Sequence, residues 1–211
     1  MRAAEHLSAP HAVRRHVCAA CIATLASGAA ATVGGLIGLA VPQAARATAP
    51  AGGASPGHPW LPQSRRVGRA TLRMLGFSVY DVALYALPDF EATAYAAHPL
   101  VLEIRYRRAI AGADIADYSL KEMRHAGAVD EVTAGRWALY MRSAFPDVKD
   151  GDRLAGLWQP AAGLTRFAAN DGAAVELQDA TFGPRFFGIW LAPQTPRPEL
   201  REQLLGLKAV S

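Results

Sequence analysis

The chain has 211 residues, 22 Lys and Arg against 18 Asp and Glu, a formal charge of +4, and two cysteines. Arg2, Arg14, Arg15 and Arg46 set against Glu5 place +3 of that charge in the first 47 residues, so the remainder is close to neutral. The basic runs left, Arg65-Arg66 and Arg105, Arg107, Arg108, are short and interleaved with apolar residues, which excludes a nucleic-acid-binding face.

Residues 1–47 read as a signal peptide. Arg14 and Arg15 precede a run from Val17 to Val41 without any charge, and the small-residue site Ala45-Arg46-Ala47 makes Thr48 the expected first mature residue. The run also exceeds the about 20 residues that span a bilayer, so it is long enough to serve as an uncleaved membrane anchor. Export by the Sec route is the default expectation, and Arg14-Arg15 leaves a twin-arginine route open. Either way the expected destination is periplasmic or secreted. Cys18 and Cys21 have C-x-x-C spacing but lie inside the apolar run, with no second ligand pair, so they suggest neither a redox nor a zinc site. Residues 48–63 read as a flexible Pro/Gly/Ala linker. Residues 64–208, about 150 in all, are enough for one domain with a full core.

Two β-rich runs, VGRATLRML and FSVYDVALYAL, meet at Leu75-Gly76 and predict a hairpin. The second run is apolar on both faces, yet carries Asp81 in its middle. An unpaired buried carboxylate costs several kcal/mol, so Asp81 requires a partner, a proton or a wet cavity. Pairing across the sheet with Arg105, or with Arg73, is the expected solution. Residues 99–108 alternate, with Leu100, Leu102, Ile104 and Tyr106 on one face and Glu103, Arg105 and Arg107 on the other. The period then changes: 112–125 predicts a helix with Ala116, Ser119, Leu120 and Met123 inward and Asp114 as its cap. A second helix over 131–145 buries Trp137, Tyr140, Met141, Ala144 and Phe145 and stops at Pro146. Residues 153–159, 164–169 and 173–178 return to strand character, the last two joined at Asn170-Asp171-Gly172. Asp179 then caps a helix rich in Phe and Trp, and 198–206 forms another, opened by Pro198. Strands, helices, strands and helices without βαβ alternation indicate an α+β fold with a largely antiparallel sheet.

Taken in order, VGRATLRMLGFSVYDVALY, EIRYRRAIAGADIADYSLKEM, FPDVKDGDRL and FFGIWL resemble the chalcone-isomerase-like family, specifically its exported bacterial branch, over about residues 66–206. The resemblance implies a large, mainly antiparallel open-faced sheet with helices packed on one face and a cleft between them. That family includes enzymes that close a chalcone to a flavanone and plant proteins that bind fatty acids. In both, an arginine on the first strand handles an anionic oxygen or carboxylate; here Ala70 falls near that position, with Arg69 beside it and Arg73 further along. The strand position that holds a hydroxyl in the enzymes corresponds to Tyr80.

These residues yield a candidate ligand-binding set of Arg69, Arg73, Tyr80 and Tyr106, with guanidinium and phenol groups gripping the polar end of a small apolar ligand. Alternation places Arg69, Thr71 and Arg73 on one strand face, which faces either the cleft or solvent. Trp137, Trp158, Trp190, Phe186 and Phe187 are either core or the lining of an acyl-chain tunnel. His58, His98 and His125 are too scattered for a metal site, no phosphate loop or nucleophile elbow occurs, and no cofactor is implied. The expected function is non-catalytic binding of a fatty acid or other small apolar carboxylate. An isomerase cyclising a chalcone-like enone is the first alternative, requiring mainly oxyanion stabilisation. A ligand-free periplasmic interaction factor is the second.

Overall fold

The computed structural model describes residues 57–170 and 172–207. The leader reading of residues 1–47 and most of the linker reading lie outside them. Six strands form one sheet in chain order: β1 (Arg65–Met74), β2 (Phe77–Ala86), β3 (Leu100–Tyr106), β4 (Arg153–Gln159), β5 (Leu164–Ala169) and β6 (Val175–Gln178). Every neighbouring pair is antiparallel. Helices α1 (Gly112–His125) and α2 (Glu131–Ala144) connect β3 to β4, while α3 (Phe182–Leu191) and α4 (Pro198–Leu204) come after β6. A short 3-10 segment, Ala92–Ala97, which the sequence did not signal, lies between β2 and β3.

The turns obey the predicted chemistry. Leu75 and Gly76 both take positive φ, 51° and 83°, the backbone that a two-residue hairpin between right-twisted strands needs. Asn170 repeats this with φ 49° at the β5–β6 turn, where Gly172 N–H donates to Ala169 O; Asp171 lies outside the described residues. The α1 cap differs from expectation. Asp114 sits in the first turn, but the carboxylate that accepts from the Gly112 N–H, at 2.9 Å, belongs to Asp147 from the loop after α2. That bond ties the start of one helix to the exit of the next.

One sheet face carries the core. Ala70, Leu72, Val82, Leu84, Ala86, Leu100, Leu102, Ile104 and Tyr106 point toward the helices, which return Met123, Trp137, Met141, Phe182, Phe186, Phe187 and Leu191. Phe167 of β5 is surrounded by Tyr140, Phe145, Phe182, Phe186 and Phe187 with ring centroids 4.8 to 6.5 Å away. The opposite face is mostly polar, with Arg69, Thr71, Arg73, Asp81, Glu103 and Arg105. It is covered at one patch by the segment before β1, which corrects the linker reading for residues 57–63. Leu61 is buried on Val101 and Leu157 with Trp60, Tyr85 and Leu87 around it. His58 Nδ1 accepts from the Trp60 N–H, so its Nε2 points at Glu103, 3.7 Å away. The apolar content of HPWL makes this segment part of the fold rather than a tether.

Candidate functional site

β2 is the hinge of the site. Its pairing with β1 steps from Leu72–Tyr80 to Arg73–Ser78, leaving Val79 as an extra, bulged residue. Val79 and Tyr80 therefore both line a cavity of about 360 Å³ between the sheet and the helices. Ile104 and Tyr106 of β3 extend its floor; Ile115, Ser119 and Glu122 of α1 form one wall; Phe186, Ile189 and Trp190 of α3 form another. Pro196, Arg197 and Leu200 close the side next to β1. Its volume is about that of a dozen waters at liquid density, at the small end of ligand sites. Met74 and Tyr118 line it and are 49% and 46% exposed, which marks the mouth; the adjacent turn presents Leu75 and Phe77 to solvent.

Two of the four predicted ligand residues are in this cavity. The rings of Tyr80 and Tyr106 meet edge to face, centroids 6.3 Å apart, as the register pairing of these residues demands. The Trp190 indole N–H donates to the Tyr80 hydroxyl at 2.9 Å. Burial drives the Tyr80 phenol up to about 12, with the Trp190 bond opposing it, so the group stays protonated at any physiological pH. Among the described residues nothing accepts the Tyr80 hydrogen, which leaves it for a guest in the cavity. Burial pushes the Tyr106 phenol upward in the same way.

Arg69 and Arg73 are not in the cavity, which corrects the expectation of an arginine grip. Ala70 and Leu72 face the helices, and alternation turns Arg69, Thr71 and Arg73 outward. The pairing runs without a shift from Gly68 to Leu72, so no bulge restores Arg69 to the inner face. Arg73 instead lines a polar depression beside β1 that shares Leu72, Pro196, Arg197 and Leu200 with the cavity.

The Asp81 pairing also differs. Arg105 lies opposite Asp81 in register, but the bond goes to Arg107, whose Nε donates to Oδ2 at 2.7 Å and whose Nη2 touches the same oxygen. Thr71 Oγ1 donates to Oδ1 at 2.8 Å. Asp81 sits on the outer, partly open face of β2, so that strand is buried on one side only, and the carboxylate has companions without looking into the cavity.

Residues absent from the sequence expectation supply the rest of the site. Glu122 lines the cavity, is buried, and has an Oε2 without a hydrogen-bond partner. It sits three residues after Ser119 and four after Tyr118, so helical spacing could have found it. Arg197, in the irregular PQTPRP segment, carries no periodic signal. The aromatic residues divide: Phe186 and Trp190 line the cavity, whereas Trp137, Trp158 and Phe187 are core. Trp137 donates to Asp179 and Trp158 to Ala96 O, so both indoles are satisfied away from the site. Together these groups can enclose an apolar molecule and hydrogen-bond one polar end.

Known proteins agree with this architecture. The chalcone isomerase-like family model matches residues 68–206. An uncharacterised protein of Haemophilus influenzae is 32% identical over 155 residues, covering 72% of this chain and 71% of that protein. The crystal structure of an Arabidopsis thaliana fatty-acid binding protein superposes with a TM-score of 0.54 at 10% identity, over 72% of this chain and 90% of that one. With the sheet, the one-sided helical layer and the family match over more than half its length, the chain belongs to the chalcone isomerase-like family.

Proposed function

We propose that this protein holds a small, largely apolar molecule with one polar end, such as a single-chain lipid, in the cavity between β1–β3 and helices α1, α3 and α4. The observation that carries the reading is the cavity itself: about 360 Å³, walled by aliphatic and aromatic side chains, with Tyr80 offering an unused hydroxyl hydrogen inside it. A packed interior has few voids larger than a water molecule, so an apolar space of this size with a mouth at Met74 and Tyr118 suits a guest. The likeness of fold to a fatty-acid binding protein supports a guest with a single apolar chain. The carboxylate part of the expectation loses its support with Arg69 and Arg73 outside, and the cyclising alternative loses the strand-borne cation on which it rested. The reading includes export, resting on the leader-like residues 14–47.

Native mass spectrometry of protein purified from its host tests this. A bound small molecule released on denaturation is expected, and Ile115→Trp, which fills the cavity from α1, should expel it while circular dichroism stays unchanged. Ligand-free protein from every preparation, together with no uptake of added lipid, would end the proposal.

A further inference from the structure

Glu122 is a charged residue in the wall of an otherwise largely apolar cavity. It is 9% exposed, is one of the α1 residues that line the apolar space, and has an oxygen, Oε2, buried without a donor. A buried acceptor left unpaired is costly, and more so for a carboxylate, so an occupant that donates a hydrogen bond to this carboxylate relieves a cost the protein otherwise carries. Nearby, Tyr80 accepts from Trp190 and keeps its own hydrogen to give. The other charged wall groups are Asp114 and Arg197, so two carboxylates and one guanidinium surround the space. An anionic guest would meet more like charge than opposite charge there.

We propose that Glu122 is the head-group acceptor of the site and that the occupant is an apolar chain or ring ending in a neutral hydroxyl: its O–H donates to the Glu122 carboxylate, and its oxygen accepts from Tyr80. This inference rests on the ligand-binding function proposed above and assigns its specificity. A fatty alcohol and an alkylphenol share this chemistry, and a free fatty acid in its ionised form lacks it.

Calorimetric titration of the purified protein at about pH 8, where a free carboxylic acid is ionised, compares 1-dodecanol, its methyl ether and dodecanoate. The alcohol is expected to bind about tenfold or more tighter than the ether, a gain in keeping with a hydrogen bond to a charged group. Glu122→Gln, which replaces one carboxylate oxygen with an amide donor, should shift the alcohol-to-dodecanoate preference about tenfold toward dodecanoate. An alkylphenol of matched size and its ether, run alongside, tell which source of hydroxyl fits; a tenfold advantage of either over its ether supports the assignment. Equal binding of both hydroxyl compounds and their ethers by the unaltered protein, or a preference untouched by Glu122→Gln, overturns it while leaving the binding function standing. Failure of every apolar ligand to bind overturns both.

Discussion

Trp190 of α3 donates its indole N–H to the hydroxyl of Tyr80 on β2, 2.9 Å away and 110 residues apart in the chain. This bond fixes the wall of the cavity against its floor, and it uses the lone pair of Tyr80 rather than its hydrogen. Tyr80→Phe therefore removes two things. The buried Trp190 N–H loses its acceptor, which should destabilise the fold by about 1–3 kcal/mol in urea denaturation. The cavity loses one of its hydroxyl donors, which should weaken a hydroxyl-bearing ligand by roughly tenfold. Trp190→Phe separates the effects: it leaves no unpaired N–H and frees Tyr80 entirely, so binding should survive better than stability. Equal stability of Tyr80→Phe and the unaltered protein would show that the bond does not form.

The outer-face acid makes a second prediction. Asp81 is joined to Arg107 and Thr71, while Arg105 stands opposite it in register without that bond. Both members of the Asp81–Arg107 pair are about a third exposed or more, so the coupling should be modest, below about 1 kcal/mol. A double-mutant cycle between Asp81→Asn and Arg107→Ala should reveal it, diminishing as salt is raised. The same cycle with Arg105→Ala should give a smaller value. A larger coupling to Arg105 would contradict the geometry.

Much of this fold is legible because the chain changes period where it changes structure. Leu100, Leu102, Ile104 and Tyr106 mark a strand by strict alternation, and Trp137, Tyr140, Met141 and Ala144 mark a helix by spacing of three and four. Gly76 announces the turn because Gly takes positive φ without strain, and Leu75 is carried into the same region beside it. The site is harder to read. Which face of β1 is the inner one depends on Ala70 and Leu72 outcompeting their neighbours for the core, a tertiary choice that local pattern leaves open. Arg107 replaces Arg105 beside Asp81 because long side chains reach along a strand face to a diagonal neighbour, which register alone does not convey. Glu122 shares a helical stripe with Ser119, but its charge argues for solvent, and the packing of α1 against its neighbours overrides that. The segment 57–63 has the Pro and Gly content of a tether, although Trp60 and Leu61 carry enough apolar area to dock it.

Asp179 gives a pH dependence. Its side chain accepts from Thr181 N–H and hydroxyl, from the Trp137 indole at 2.9 Å and from Arg136 at 2.6 Å, binding α2 to the start of α3. Burial acts to raise its pKa, but the hydrogen bonds from Thr181 and Trp137 and the Arg136 charge outweigh it and bring it down to about 2. Because the folded value lies below the unfolded value of about 3.9, the ionised form stabilises the fold above that pH, and the contribution is lost as pH falls toward 2. Asp179→Asn should cost about 1–2 kcal/mol at neutral pH and flatten the acid limb of the melting profile between about pH 4 and pH 2. A variant whose melting temperature falls with acid as steeply as that of the unaltered protein would assign the acid sensitivity elsewhere.

Gly68 is the point where α4 meets β1. A Cβ built there would lie 2.2 Å from Gln203 O and 2.4 Å from Leu204 O, backbone atoms that cannot swing aside as a side chain does. Gly68→Ala must therefore push the C-terminal end of α4 off the edge strand, at about 1–3 kcal/mol for overpacking. Leu200 on the same helix lines the cavity, so the displacement should also loosen the site and weaken ligand retention. Gly135→Ala is the control: it lies in α2 with open space around its Cβ, where alanine is the better helix former, and it should stabilise by about 0.5–1 kcal/mol without touching binding. Hydrogen exchange resolves the mechanism, since Gly68→Ala should lose protection first in α4 and β1 while α2 and β5 remain protected. Uniform loss across the sheet would instead mean that α4 is not the element displaced, and that its packing on β1 is looser than the close approach at Gly68 requires.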